Sequence, residues 1–261
     1  MIIIADKKIP DEARNKLKGM GVLIELQTMD ITYDSISGHP DVFFFQAGDK
    51  LVVAPNLPQA YKSKLQEMGI DYLSGEMPVG KKYPGTAFYN AVFVDNFLIH
   101  NFRYTDSRIT QLAADAELIH VNQGYTRCNI LPLGNKKFIT SDQGIHKTLL
   151  RYNMDVLYVN PDEILLPGQK HGFIGGCCGI WKHKLFIIGN LNHFSEGNKI
   201  RKYVSETGLD ILELYDGPLF DGGVFCLYDK AQRPIRKNNL YNLNFKCIFK
   251  NFTRFFVILL P

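Results

Sequence analysis

A chain of 261 residues with 46% hydrophobic and 12% aromatic content can bury a sizeable core, and no run reaches the roughly 18 apolar residues needed to span a bilayer. The start, MIIIADKKIPDE, has no basic stretch ahead of its apolar run and does not read as a secretory signal; five cysteines without a CxxC pair fit reduced thiols in a cytoplasm better than disulfides or structural zinc. The net charge of +4 is uneven, because residues 231–261 hold Arg233, Arg236, Lys237, Lys246, Lys250 and Arg254 and no acid, which leaves residues 1–230 at −2.

In chain order, the first apolar run, MIIIA, reads as a strand. Pro10 opens a helix with Asp11 and Glu12 in its positive first turn and Ala13, Leu17 and Met20 on one face, and VLIEL returns as a second strand. The same plan recurs. LVVAP, FLIHN, KFITS and LFIIG have the composition of MIIIA, and IDYLS, ELIHV, DVLYV and DILEL that of VLIEL, each rich in β-forming residues. Between them, Pro58 opens a helix carrying Tyr61, Leu65 and Met68. Ser141 or Asp142 caps one carrying Ile145, Leu149 and Tyr152, and Ser195 caps one carrying Ile200 and Val204. Each unit begins with one further strand, so four full strand–strand–helix–strand units start near Pro40, Pro84, Gln123 and Lys170.

The fifth unit is split between the termini. Its first strand is LFDGGVFCLYD, residues 219–229, and its remainder is residues 1–28. A unit completed by the opposite end of the chain predicts a closed ring: a five-bladed, propeller-like α/β domain over residues 1–230, with a central crevice and a pseudo-fivefold axis. The basic, aromatic segment 231–261 reads as a poorly ordered appendage. Its charge also suits an arm for nucleic acid or a membrane surface, but its short apolar end and lack of periodicity argue against both.

Three stretches resemble the pentein family of guanidino-group-modifying enzymes, nearest to the dimethylarginine hydrolases and arginine deiminases. FDGGVFCL is similar to that family's DGxxxC ending. KHGFIGGCCGIWKHKLFIIG resembles the segment in which a histidine opens the fourth unit, and RCNILPLGNKKFITSDQGIHKTL resembles its third-unit pattern. The resemblance implies Cys226 as nucleophile and His171 as general acid and base, acting on a C–N bond of a small guanidine, amidine or neutral amide-like compound. A thiol needs an imidazole or a positive neighbour to be an effective nucleophile at neutral pH, and the departing amine needs a proton.

The family's guanidinium-holding acids are replaced at the matching positions by Asn90 and Asn129, which would position a ligand but cannot neutralise a cation. Asp221, beside Gly222-Gly223, is placed to orient His171 or contact a ligand amine, although turn chemistry also accounts for an Asp-Gly pair. Cys177 and Cys178 read as core residues. His39, His100, His120, His146, His183 and His193 have no ligand spacing and read as surface or hydrogen-bonded core residues. Covalent thiol chemistry needs neither a metal nor an organic cofactor, so none is expected; the expected partner is a small molecule rather than a nucleic acid or a membrane. With the acids replaced, a non-catalytic pentein that binds a ligand or a macromolecule is the alternative.

Overall fold

The computed structural model describes residues 1–223 and the strand Phe225–Leu227; the segment 231–261 lies outside the described residues. Among the described residues no helix is long and apolar enough to cross a membrane. Among the described residues the chain forms five three-stranded sheets of one design, in which the middle strand pairs antiparallel with one neighbour, in four sheets the strand before it, and parallel with a third strand reached through a helix.

The first sheet is made from both ends of the chain. Strand β1 (Ile2–Asp6) runs through helix α1 (Asp11–Met20) to β2 (Val22–Leu26). Its antiparallel neighbour is the last strand, β15 (Phe225–Leu227), with Ile3 opposite Cys226. After the one-turn helix α2 (Pro40–Phe43) come β3 (Phe44–Ala47), β4 (Lys50–Val53), α3 (Gln59–Glu67) and β5 (Leu73–Ser74). The third sheet holds β6 (Val92–Val94) and β7 (Phe97–His100), then α4 (Ser107–Leu112) and β8 (Glu117–His120). A second one-turn helix, α5 (Thr126–Asn129), leads into β9 (Ile130–Gly134) and β10 (Lys137–Thr140), with α6 (Gln143–Arg151) and β11 (Asp155–Tyr158) completing that sheet. The last holds β12 (Cys178–Trp181), β13 (Lys184–Ile187), α7 (Gly197–Ser205) and β14 (Asp210–Glu213).

Local chemistry explains these elements. Asp95-Asn96 and Asn135-Lys136 both take positive φ, which makes the tight hairpin turns whose twist matches the flanking strands. Pro10 and Pro58 sit one residue ahead of their helices, where a fixed φ is useful and no N–H is required. Asp142 rather than Ser141 caps α6, accepting from the Ile145 amide. Helix α7 begins at Gly197 without a side-chain cap, not at Ser195, and Gly197 packs so closely on the Leu191 carbonyl that a Cβ would lie 1.9 Å from it. The core fills the spaces between sheets. The run Phe43-Phe44-Phe45 is wholly buried, each ring adding about 1.5–3 kcal/mol of transfer free energy.

Candidate functional site

The segments entering the first strands of successive sheets meet in one place. The Asn90 amide nitrogen donates to the Asp41 carbonyl (3.1 Å), and its side-chain oxygen accepts the Cys128 amide (3.1 Å). The Cys128 carbonyl accepts from Gly176 (3.0 Å), whose own carbonyl accepts from Gly223 (2.8 Å), and Gly223 lies against Pro40. Asp41, Asn90, Cys128, Gly176 and Gly223 thus bring residues from five sheets together two or three positions ahead of the strands they feed.

This meeting point is the floor of a cavity of about 100 Å³ whose lining includes Tyr33, His39, Cys128, His171, Phe173 and Asp221. The floor is polar and buried. His39, Asp6, Asp41 and Asp221 are each no more than 2% exposed and Cys128 is 4% exposed. The His39 ring stands among three carboxylates, with Nε2 3.8 Å from Asp6 Oδ2 and Nδ1 3.9 Å from Asp41 Oδ1 and 3.7 Å from Asp221 Oδ1. All three distances exceed hydrogen-bond length. Among the described residues, neither His39 nitrogen, nor Asp41 Oδ1, nor Asp221 Oδ1 has a hydrogen-bond partner.

The opposite sides of these groups are well held. The Cys128 thiol donates to Asp41 Oδ2 (3.0 Å) and lies 3.1 Å from the Asn90 amide nitrogen. Asp221 Oδ2 accepts the Phe173 amide (2.9 Å) and Asp6 Oδ1 the Lys8 amide (2.8 Å). Close approach by Asp221 requires a bare backbone opposite it, since a Cβ on Gly176 would lie 1.8 Å from Asp221 Oδ1. Burial lifts the Asp221 carboxyl to about 7 against the opposing pull of His39. Burial also pushes the Cys128 thiol well above its ordinary range, and the charges of Asp41 and Asp221 push it further. Neutral or cation-paired forms of Asp221 and Cys128 are therefore favoured.

His171 stands on the cavity wall, part-exposed, with Nδ1 3.0 Å from the Gly172 carbonyl and its ring edge-on to Phe173. Asp221 is on the floor. Asn90 is beside Cys128, its amide engaged by protein partners. Asn129 is held away from this cluster: its amide nitrogen donates to the Tyr125 carbonyl (2.9 Å), and its oxygen accepts from Ser141 (3.1 Å), which in turn accepts the Ile174 amide. The helical turn α5 is the reason. It breaks the two-residue alternation of a strand, so that Cys128 rather than Asn129 meets Asn90. Cys226 occupies the register position opposite Ile3, and its side chain lies outside the described residues. His39, read from sequence as a surface or hydrogen-bonded residue, is neither, and Asp41 and Cys128 were not singled out for site chemistry. The signals were GHPD and TRCN, polar groups directly ahead of apolar strands.

A larger cavity of about 380 Å³ is lined by Arg127, Lys182 and apolar strand residues, with no carboxylate, histidine or cysteine, so the reactive groups are not there.

The profile of the family of unknown function DUF6873 matches residues 4–225. No curated protein matches the chain. Among solved structures, the chain is similar to SxtG, an amidinotransferase of the saxitoxin biosynthetic pathway of Microseira wollei, at 11% identity and a TM-score of 0.56, covering 88% of this chain and 94% of that one. It is also similar to a dimethylarginine dimethylaminohydrolase adduct with S-methyl-L-thiocitrulline (9% identity, TM-score 0.51, 81% and 91% covered). A third is the inosamine-phosphate amidinotransferase StrB1 of Streptomyces griseus (13% identity, TM-score 0.50, 83% and 78% covered). These identities speak to fold alone. The chain belongs to the DUF6873 family and carries the pentein fold shared by the guanidino-group-modifying enzymes.

Proposed function

We propose that this protein breaks a C–N bond in a small amidinium or guanidinium compound bound on the crevice floor. One observation carries this reading: Asp41 and Asp221 each present a buried carboxylate oxygen without a partner, next to a thiol and an imidazole. Because the family positions hold Asn90 and Asn129, the sequence leaves a cationic substrate without counter-charge. Asp41 and Asp221 supply it from other positions. In this reading the five sheets close as blades around the crevice, and the substrate enters past Tyr33 and His171.

The chemistry follows from charge. A planar cation donating N–H groups to Asp41 Oδ1 and Asp221 Oδ1 cancels the field that holds the Cys128 thiol protonated, so binding itself favours the thiolate. The thiol proton passes to His39, and the sulfur attacks the central carbon, forming a C–S bond. Collapse breaks the C–N bond, and the departing amine takes the proton from His39. Water, deprotonated by the same imidazole, then releases the ureido or amide product and the free thiol; an acceptor amine in place of water gives transfer instead. Asn90 holds the sulfur in line, and His171 relays protons at the wall. The reduced thiols of Cys128, Cys177 and Cys178 suit a cytoplasmic setting. A second reading keeps Cys226 as the nucleophile with His171, and is favoured by the place of His171 on the same cavity.

Incubation with arginine, agmatine and methylated arginines, followed by mass spectrometry for ureido and amine products, tests the reaction, and a haloacetamidine with peptide mapping tests the nucleophile. Turnover with label on Cys128 supports the reading. Turnover with label on Cys226 transfers the thiol role to that residue. Binding of these cations without product overturns catalysis in favour of a binding protein.

A further inference from the structure

We infer that the crevice floor is also a site for one zinc-type divalent metal ion, held by His39 Nδ1, Asp41 Oδ1 and Cys128 Sγ, with Asp221 as a neighbouring carboxylate behind the imidazole. The inference shares with the proposed function the reading of this floor as a cation acceptor, and it requires no C–N chemistry.

Geometry is the first argument. Ligand atoms from His39, Asp41 and Cys128 all lie within 4.8 Å of one another. A tetrahedral zinc ion about 2.0–2.3 Å from each ligand sets ligand pairs roughly 3.3–3.8 Å apart. His39 Nδ1 is 3.9 Å from Asp41 Oδ1 and 3.7 Å from Asp221 Oδ1. Both separations are too long for hydrogen bonds, and the first is close to what a shared ion would set.

The second argument is independent of spacing. His39, Asp41 and Asp221 are at least nine-tenths buried, and each has a side-chain atom without a partner among the described residues. Buried polar atoms are nearly always paired, so three orphaned ones, His39 Nδ1, Asp41 Oδ1 and Asp221 Oδ1, on neighbouring side chains call for a ligand. Neighbouring groups hold two residues of the cluster from behind: Asp221 Oδ2 accepts the Phe173 amide, and the Asn90 amide nitrogen lies 3.1 Å from the Cys128 sulfur.

Donor chemistry selects the ion. One imidazole, one thiolate and one carboxylate suit Zn²⁺ or Co²⁺, whereas Mg²⁺ and Ca²⁺ take all-oxygen sets. The same Asp41 oxygen serves the metal and an amidinium group, so the two occupants exclude each other.

The test uses tag-free, full-length protein treated with chelator. Titration with Co²⁺ should give one equivalent of binding, with sulfur-to-cobalt charge transfer in the near ultraviolet and intense tetrahedral visible bands. Competition with a chromophoric chelator measures Zn²⁺. Cys128→Ser should abolish the charge-transfer band and weaken Zn²⁺ by roughly a hundredfold, and Asp221→Asn by roughly tenfold. Cys178→Ala, a buried cysteine outside the cluster, should leave both unchanged. Melting curves establish that each variant is folded; if Cys128→Ser is not, Asp41→Asn takes its place and should weaken Zn²⁺ by a similar factor. A Cys128→Ser protein that binds Zn²⁺ as tightly as the parent, or a parent that binds less than one equivalent, overturns the inference. Turnover of an amidine without a cobalt spectrum likewise overturns it while leaving the catalytic reading intact. A tetrahedral cobalt spectrum without turnover of any amidine upholds it and removes the catalytic reading.

Discussion

Two buried histidines mark the difference between a residue that holds the fold and one that waits for a ligand. His100, fully buried at the end of β7, has Nδ1 2.7 Å from the Thr105 hydroxyl and Nε2 3.0 Å from the Gly124 carbonyl. A carbonyl only accepts, so Nε2 carries the proton, and the ring bridges two loops as a neutral strut. His39 is just as buried, yet both nitrogens face carboxylates beyond hydrogen-bond reach. The acids show the same contrast. Buried Asp106 accepts from the amides of Arg108, Glu76 and Met77 and from the Tyr89 hydroxyl, whereas Asp41 and Asp221 each keep an idle oxygen. Burial alone therefore identifies neither class. The distinction lies in whether the hydrogen-bonding capacity is used.

The sharpest way to break this comparison is through activity. Cys128→Ala should lower turnover of an amidine substrate by more than roughly a thousandfold, as removal of a nucleophile does. Retained turnover in steady-state assays would return the floor to a structural role. Next comes stability. His100→Ala should cost about 3 kcal/mol in urea unfolding, since it leaves a cavity and removes the hydrogen bonds to Thr105 and Gly124, whereas His39→Ala, which breaks no hydrogen bond, should cost less than half as much. Equal costs would erase the difference between the two histidines.

Dependence on pH sharpens it further, because the two regions titrate with opposite sign. Burial depresses His100 from 6.5 to about 4, so the unfolded chain takes up the proton first. Its contribution is complete above pH 6.5 and is lost as the pH falls towards 4. Asp221 is raised from 3.8 to about 7, so its contribution is complete below 3.8 and is lost as the pH rises through 7. Asp221→Asn should therefore raise the melting temperature above pH 7 and steepen the rise in stability between pH 4 and 6.5, and calorimetry across that range checks both. The smallest effect belongs to the crevice wall. His171→Gln should change stability by less than about 0.5 kcal/mol while altering kcat or KM, because its described polar contact is with a neighbouring carbonyl.

Much of the architecture was readable from periodicity. Short β-forming runs alternating with amphipathic stretches located all five sheets, and LFDGGVFCLYD together with MIIIA pointed to the sheet shared by the two termini. Asn90, singled out through the family resemblance, and Asp221, singled out beside its Gly-Gly turn, lie in the cluster. His39, Asp41 and Cys128 were not, because no local pattern marks them. They stand in one-turn helices or the residues leading into them, too short for a periodic signal, and α5 shifts the phase by which Asn129 had been assigned.

Strand and helix preferences are local, carried by spacings of two to four residues, and these suffice for the order of elements and the repeat. The site is non-local: Asp6, His39, Cys128 and Asp221 are brought together only when separate sheets pack, and glycines such as Gly176 leave room for the approach. Whether a buried polar atom finds a partner depends on groups far away along the chain. The crevice floor, with its unpartnered carboxylate oxygens, is therefore a property of the packed sheets rather than of any one segment.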